Sequence, residues 1–340
     1  MEKFLIHEFG EQYAREPVLR RMPDGSLICF VVSGGPKEPH PENYVMAMRS
    51  YDDGESWSEP EIIFNHTERG VWSTEIFTEG EVPMAVVYTH NAECTFRELS
   101  AFRSFTYDSG KTWTEPVSFP CGFTGACMRQ GIVMSNGEWL FPVYWEQTYY
   151  DFDWNNVTCE KHPNLGRHPF ACGVAVSPDK GQMWYRYGNI ADTYSLWEPN
   201  CIEAEPGHII MFMRDNSKPS LSKVESFDYG KTWGKTVDTK IPNPGSKVTV
   251  IKRKNQVIMI TNFSDKYNIG REGRSNLEIR VSSDLCNTWD KIIELTPPDE
   301  LFYYPHAFLD DEKETAYVAY ENGHGHFLAK LSYDELGIEK

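Results

Sequence analysis

Two adjacent tyrosines and a histidine sit close together near one end of the 340-residue chain, in Tyr303-Tyr304-Pro305-His306. A tyrosine and a histidine facing a carboxylate held by arginine could carry out elimination on a uronic acid. The arginine would lower the cost of a carbanion beside the carboxylate, and the tyrosine or histidine would take the proton. His306 has the sequence position for this, as does His90 at the end of the strand-like run MAVVYTH. The bland alternative is a histidine satisfied inside the structure. No pair of histidines has HExxH or similar spacing, so a zinc site is not expected, and no metal or cofactor is. Arg129, in CMRQG, is a further candidate for lining a pocket.

Such residues need a frame, and the frame is legible as a repeat. SYDDGESW at 50–57, TYDSGKTW at 106–113 and SFDYGKTW at 226–233 share one pattern, with degraded copies SPDKGQMW at 177–184 and SSDLCNTW at 282–289. Their tryptophans, at 57, 113, 184, 233 and 289, are separated by 56, 71, 49 and 56 residues, which suits one four-stranded blade each. Within each copy the Asp can accept backbone N–H groups just downstream and close a tight turn. The Gly can take positive φ, and the Trp covers apolar area beside the next strand. A motif recurring this regularly reads as a hairpin clasp rather than as one metal or catalytic site. Cys286 replaces the Gly of the fifth copy, and that turn is expected to be distorted. Between the copies lie short β-branched and aromatic runs such as SLICFVV, HIIMFMR and VIMITNF, broken by Gly, Pro, Asn or Asp. No helical period runs over several turns, so the reading is all-β independently of any motif.

The repeated pattern is the Asp box, and the chain resembles the sialidase (neuraminidase) superfamily from about residue 10 to 333. The resemblance extends to REPVLRRMPDGSL, WEPNCIEAEPGHIIMFMRD, IPNPG, RSNLEIRVSSD and YYPHAFLDD. It implies one six-bladed β-propeller over 1–340. The strand-like segment 2–9 would close the last blade, against either 315–321 or 327–333, and so remove an open edge. It also implies three arginines gripping a substrate carboxylate, a task suited to the always-charged, bidentate guanidinium. Arg15, Arg214 and Arg274 match those positions, with Arg271 a neighbouring substitute for the last. Tyr304 matches the family nucleophile and Glu198 the carboxylate that activates it, with Tyr303 as the alternative tyrosine. A neutral phenol avoids the repulsion that an anionic nucleophile would meet at a carbon bearing a carboxylate.

The sequence departs from the family at the general acid. Loop 33–44, SGGPKEPHPENY, has no Asp, leaving Glu38, His40 and Glu42 as titratable candidates, and Glu42 or His40 could serve. IPNPG recurs in the non-sialidase branch of the superfamily, and Asn243 within it is a candidate to face the pocket. The implied activity is exo-acting hydrolysis of a terminal acidic sugar. The alternatives are a uronate lyase using Tyr and His, and a carbohydrate-binding propeller without turnover.

Charge and composition bound the partners. A net charge of −17 argues against nucleic acid or an anionic membrane as a partner, so an acidic mono- or oligosaccharide requires local concentration of arginine. Residues 1–17 contain no apolar run of signal-peptide length, and a cytoplasmic address is expected. Eight cysteines without CxxC spacing read as buried free thiols. The longest interval between boxes holds an insertion at 145–170 rich in aromatics, beginning at Trp145. It is either a binding loop or a loop packed on its own aromatics or on a partner subunit of a homo-oligomer.

Overall fold

The computed structural model describes residues 1–90, 99–120, 125–146, 170–192, 195–264, 266 and 273–340. The strands form six antiparallel sheets arranged as a six-bladed β-propeller. Blade 6 takes its outermost strand from the start of the chain, β1 (Glu2–Glu8). Blade 1 is β2 (Ala14–Arg21), β3 (Leu27–Ser33), β4 (Tyr44–Ser50) and β5 (Glu61–Phe64). Blade 2 is β6 (Gly70–Phe77), β7 (Met84–His90), β8 (Ser100–Phe105) and β9 (Val117–Ser118). In blade 3, β10 (Ala126–Met128) and β11 (Ile132–Val133) both pair with β12 (Trp139–Glu146), followed by β13 (Phe170–Ser177) and β14 (Tyr185–Ile190). Blade 4 is β15 (Leu196–Glu205), β16 (His208–Asp215), β17 (Ser220–Ser226) and β18 (Val237–Pro242). Blade 5 is β19 (Thr249–Arg253), β20 (Gln256–Asn262), β21 (Leu277–Ser282) and β22 (Lys291–Glu294). Blade 6 is β23 (Tyr303–Asp310), β24 (Thr315–Glu321), β25 (Gly325–Ser332) and then β1.

Of the two partners considered for the first strand, β25 is the one used: Glu2 pairs with Lys330 and Phe4 with Leu328. Middle strands are buried on both faces, as LICFVVS in β3 is, because each blade packs face to face against its neighbours. One apolar cluster joins Leu19, Leu27 and Val31 of blade 1 to Tyr317, Ala319 and Leu328 of blade 6.

The Asp boxes turn hairpins and also fasten blades together. Asp108 accepts the backbone N–H and the hydroxyl of Thr112 at 2.8 and 2.7 Å, and Thr106 Oγ1 accepts Gly110 N–H at 2.7 Å. The indole N–H groups of Trp57, Trp184 and Trp233 donate to the carbonyls of Gly54, Gly181 and Gly230 at 3.2, 3.0 and 2.8 Å. From blade 1, Arg49 donates to the Gly110 carbonyl in the blade 2 box, and from blade 2 Arg103 donates to the Gly181 carbonyl in the blade 3 box at 2.6 Å. The fifth turn is not distorted, contrary to expectation. Cys286 takes φ +72°, close to the +81° of Gly230, and keeps the bond from its N–H to Ser282 Oγ at 2.9 Å. The ladder of bonds around Asp284 outweighs the steric cost of a side chain there. Cys29, Cys127, Cys172, Cys201 and Cys286 are free and buried, and the other three cysteines lie outside the described residues.

The fastening can be checked at Gly54, which has φ +90° and where an added Cβ would lie 2.2 Å from Leu328 Cδ2 of blade 6. Gly54→Ala is expected to destabilise the fold by roughly 2 kcal/mol, read as a lower urea midpoint at unchanged slope.

Candidate active site

Three innermost strands open with the same irregularity. In β2, β15 and β23 the pairing register shifts between Arg15 and Val18, between Trp197 and Asn200, and between Tyr303 and His306. At each shift one residue takes left-handed backbone: Glu16 at φ +52°, Glu198 at +48° and Tyr304 at +53°. Each of the three immediately precedes a proline, Pro17, Pro199 or Pro305. Proline lacks the N–H that a regular ladder would use, so the bulge forgoes no donor there. Backbone of this kind costs on the order of 1–3 kcal/mol per non-glycine residue, a cost also borne at hairpin turns such as that of Cys286. The three side chains take part in one polar cluster.

At its centre Tyr304 Oη donates to Glu198 Oε1 at 3.0 Å. Arg214 Nη1 reaches the other carboxylate oxygen at 3.2 Å and lies 3.5 Å from the phenol oxygen, while its Nε donates to Asn216 at 2.8 Å. The Arg274 guanidinium stands 4.7 Å from the Tyr304 ring centroid and 5.4 Å from that of Tyr303, anchored by a 2.9 Å bond to the Gly245 carbonyl. Arg15 donates to Glu321 at 2.9 Å and to the phenol oxygen of Tyr303. Glu321 also accepts the backbone N–H of Glu16 at 3.1 Å, and Arg129 pairs with the Glu16 carboxylate at 3.1 Å. The Lys247 ammonium lies 5.7 Å from the Tyr304 ring centroid. On loop 34–43, Glu38 accepts from Tyr13 Oη at 3.2 Å.

These surroundings set the protonation states. Burial alone would raise the Glu198 carboxyl, but Arg214 foremost, then Arg129 and Arg274, hold it below the ordinary carboxylate range. Burial raises the Tyr304 phenol, so it is neutral at pH 7. Glu38 is pushed the opposite way from Glu198, up to about 8, by burial first and then by the neighbouring Glu16 carboxylate. Two carboxyls driven apart in this manner are suited to opposite acid–base tasks.

Arg15, Arg129, Glu198, Arg214, Arg274 and Tyr304 thus converge. Tyr303 is fully buried with its phenol committed to Arg15, whereas Tyr304 is half-buried and faces Glu198. Glu42 does not join them: its side chain is 74% exposed and approaches His40 at 3.8 Å. His306 is buried beside the cluster, with Nδ1 accepting the Leu19 N–H at 3.2 Å and the Arg20 guanidinium 3.3 Å away. Burial, reinforced by Arg20, keeps its ring neutral. His90 ends β7 opposite Gly70, where only a glycine leaves room, since a Cβ would lie 2.1 Å from His90 Cε1 and 2.3 Å from the His40 carbonyl.

Asn243 turns inward instead of facing the pocket. Its amide spans Ser246 O and Thr261 Oγ1 at 3.0 Å, and its carbonyl accepts the N–H groups of Gly245 and Ser246 at 3.0 and 2.9 Å. It thereby shapes the turn whose Gly245 carbonyl anchors Arg274. Trp145 packs in the core of blade 3 with Arg186 over its ring at 4.5 Å. Residues 147–169 of the insertion, and Arg271, lie outside the described residues. Sequence reasoning passed over Tyr13, Glu16, Lys247 and Glu321. For Glu16 a signal existed: REP, WEP and YYP put the same residue-before-proline step at the start of three inner strands.

Comparison with known proteins agrees with this fold. Residues 25–318 match the BNR repeat-like domain family. A sialidase of Bacteroides fragilis (strain YCH46) is 25% identical over 283 residues, covering 79% of this chain and 48% of its own length. The chain therefore spans about half the length of that relative. Among solved structures, Hadza microbial sialidase Hz136 superposes with a TM-score of 0.74 at 18% identity, over 94% of this chain and 66% of its own. A protein of unknown function from Dyadobacter fermentans DSM 18053 superposes with a TM-score of 0.72 at 17% identity, over 97% of both chains. With the repeats, the six blades and the family match in agreement, the chain belongs to the BNR repeat-like family and is a sialidase-like six-bladed propeller.

Proposed function

We propose that the chain is an exo-acting glycoside hydrolase that removes a terminal acidic sugar. The observation that carries this reading is the 3.0 Å bond from the Tyr304 phenol to Glu198, set among arginines contributed by different blades. Arg15, Arg214 and Arg274 bind the sugar carboxylate. Tyr304 Oη attacks the anomeric carbon while its proton passes to Glu198, so no free anion approaches the negatively charged sugar. Glu38, uncharged up to about pH 8, gives its proton to the departing glycosidic oxygen. A water then attacks the anomeric carbon as Glu38 accepts its proton, the tyrosyl–sugar bond breaks, and Glu198 returns its proton to the Tyr304 oxygen. Glu38 suits the acid's task better than Glu42, because its raised carboxyl holds a proton at neutral pH and it lies against Tyr13, whereas Glu42 stands apart from the cluster. An elimination reading needs a base with a free lone pair. The bond from the Leu19 N–H to His306 Nδ1 speaks against that residue as the base.

Tyr304→Phe is expected to lower kcat by about 10³-fold or more on a fluorogenic acidic glycoside while leaving substrate affinity in place. Retained turnover would remove Tyr304 as nucleophile. Release of a reducing sugar without a new ultraviolet-absorbing double bond distinguishes hydrolysis from elimination.

Glu38 must be protonated to act, so the rate is present below about pH 8 and falls as pH rises through that value. Glu198 must be ionised to act, and its lowered carboxyl places the acidic limb below the ordinary carboxylate range. Glu38→Gln is expected to cost about 10²–10⁴-fold in kcat and to abolish the alkaline limb. An unchanged pH–rate profile in that variant would exclude Glu38 as the acid.

A further inference from the structure

Lys247 is a buried cation without a fixed partner. The residue is 5% exposed, and among the described residues its ammonium makes no hydrogen bond and no ion pair. Every other charged group of the cluster has at least one directed contact. Glu16 is matched by Arg129, Glu198 by Arg214 and Glu321 by Arg15. Arg274 has the Gly245 carbonyl but, among the described residues, no carboxylate within ion-pair distance. Two positive charges, Arg274 and Lys247, are therefore left without carboxylate partners, and both lie within 6 Å of the Tyr304 ring centroid at 4.7 and 5.7 Å.

Lys247 is nearly closed to water and makes no ion pair among the described residues, although Glu16, Glu198 and Glu321 attract it from farther away. Removing a charge from water without a partner is costly, and groups held at that cost mark sites where a partner arrives from outside. Lysine is also unlike the arginines around it. It offers a compact, swinging charge rather than a rigid fork, and suits an oxygen whose position is fixed by other contacts.

We propose that Lys247 is a substrate ligand, completing with Arg274 the electrostatic cradle for the anionic group of an acidic sugar seated against Tyr304. The inference rests on the acidic-sugar reading above and adds to it a cation outside the three arginines. Lys247 follows the turn shaped by Asn243, whose Gly245 carbonyl holds Arg274, so one turn sets both cations. Burial first, then Arg129, draws the ammonium down to about 8, while Glu16, Glu198 and Glu321 act in the other direction. It is therefore mostly charged at neutral pH, when an acidic sugar is fully ionised.

The test is calorimetric titration of wild type, Lys247→Met and Lys247→Arg with glucuronate and with N-acetylneuraminate, and with the methyl ester of each. For the acid that wild type binds, Lys247→Met is expected to weaken affinity about tenfold or more. The ester affinity should stay within about twofold of wild type, and Lys247→Arg should restore most of the preference for the acid. The melting temperature of Lys247→Met should match or exceed that of wild type, because the substitution removes no hydrogen bond or ion pair of the ammonium among the described residues. Equal acid affinity in Lys247→Met and wild type overturns the ligand role and leaves the hydrolase reading standing. A lowered melting temperature in Lys247→Met overturns it as well, by making Lys247 a structural member. If wild type binds neither acid, the acidic-sugar reading falls and this inference falls with it.

Discussion

A buried carboxylate needs a cation or several donors beside it, and along the central shaft of this propeller guanidinium groups fill that need. Arg15 of blade 1 meets Glu321 of blade 6, Arg20 of blade 1 meets Glu75 of blade 2, and Arg129 of blade 3 meets Glu16 of blade 1. Each pair crosses from one blade to another. Breaking such a pair leaves a stranded charge and costs about 3–5 kcal/mol, although an apolar replacement of both partners is often no less stable. Stability alone therefore does not explain why the shaft is polar. Polar lining does explain how an acidic chain presents a positive surface to a ligand, since three of its central carboxylates are already matched and the surplus is cationic.

Around that shaft the Asp boxes hold the blades at fixed spacing. A clasp that only closed hairpins would let each blade slide on its neighbour. Because Arg49 and Arg103 reach the turn of the following blade, and Gly54 packs on Leu328 of the preceding one, the clasp also sets the position of one blade against the next. Inner strands fixed in this way can carry side chains whose mutual distances must be held to within fractions of an ångström.

The repeat made the architecture readable from sequence, since five boxes at blade-sized intervals leave few alternatives to a closed ring. Even the replaced glycine at Cys286 did not alter its turn, because the side-chain bonds of Asp284 and Ser282 specify the loop more strongly than the residue at its bend. Within the site, residues inside or beside a motif were legible, as with Arg15 in β2, Arg214 in β16 and Arg274 three residues before β21. Residues of loop 33–44 were not. Glu38 and Glu42 are equivalent in a Pro-rich loop read as letters, and only the chain path shows that one lies against Tyr13 while the other stands in water. Asn243 illustrates the same gap: its hydrogen bonds go to its own turn and to Thr261. Lys247 was invisible for a different reason. A lone lysine ordinarily reads as surface, and its burial follows only from the closing of the ring.

That closing has a bearing on how the protein is made. Strand β1 leaves the ribosome before every other described strand, and its partner β25 follows more than three hundred residues later. Through most of synthesis the growing chain is an open arc with an unpaired leading edge. Arg15 has neither Tyr303 nor Glu321 beside it during that time. The cluster around Tyr303 and Tyr304 comes together in the same late step that joins the two ends of the arc.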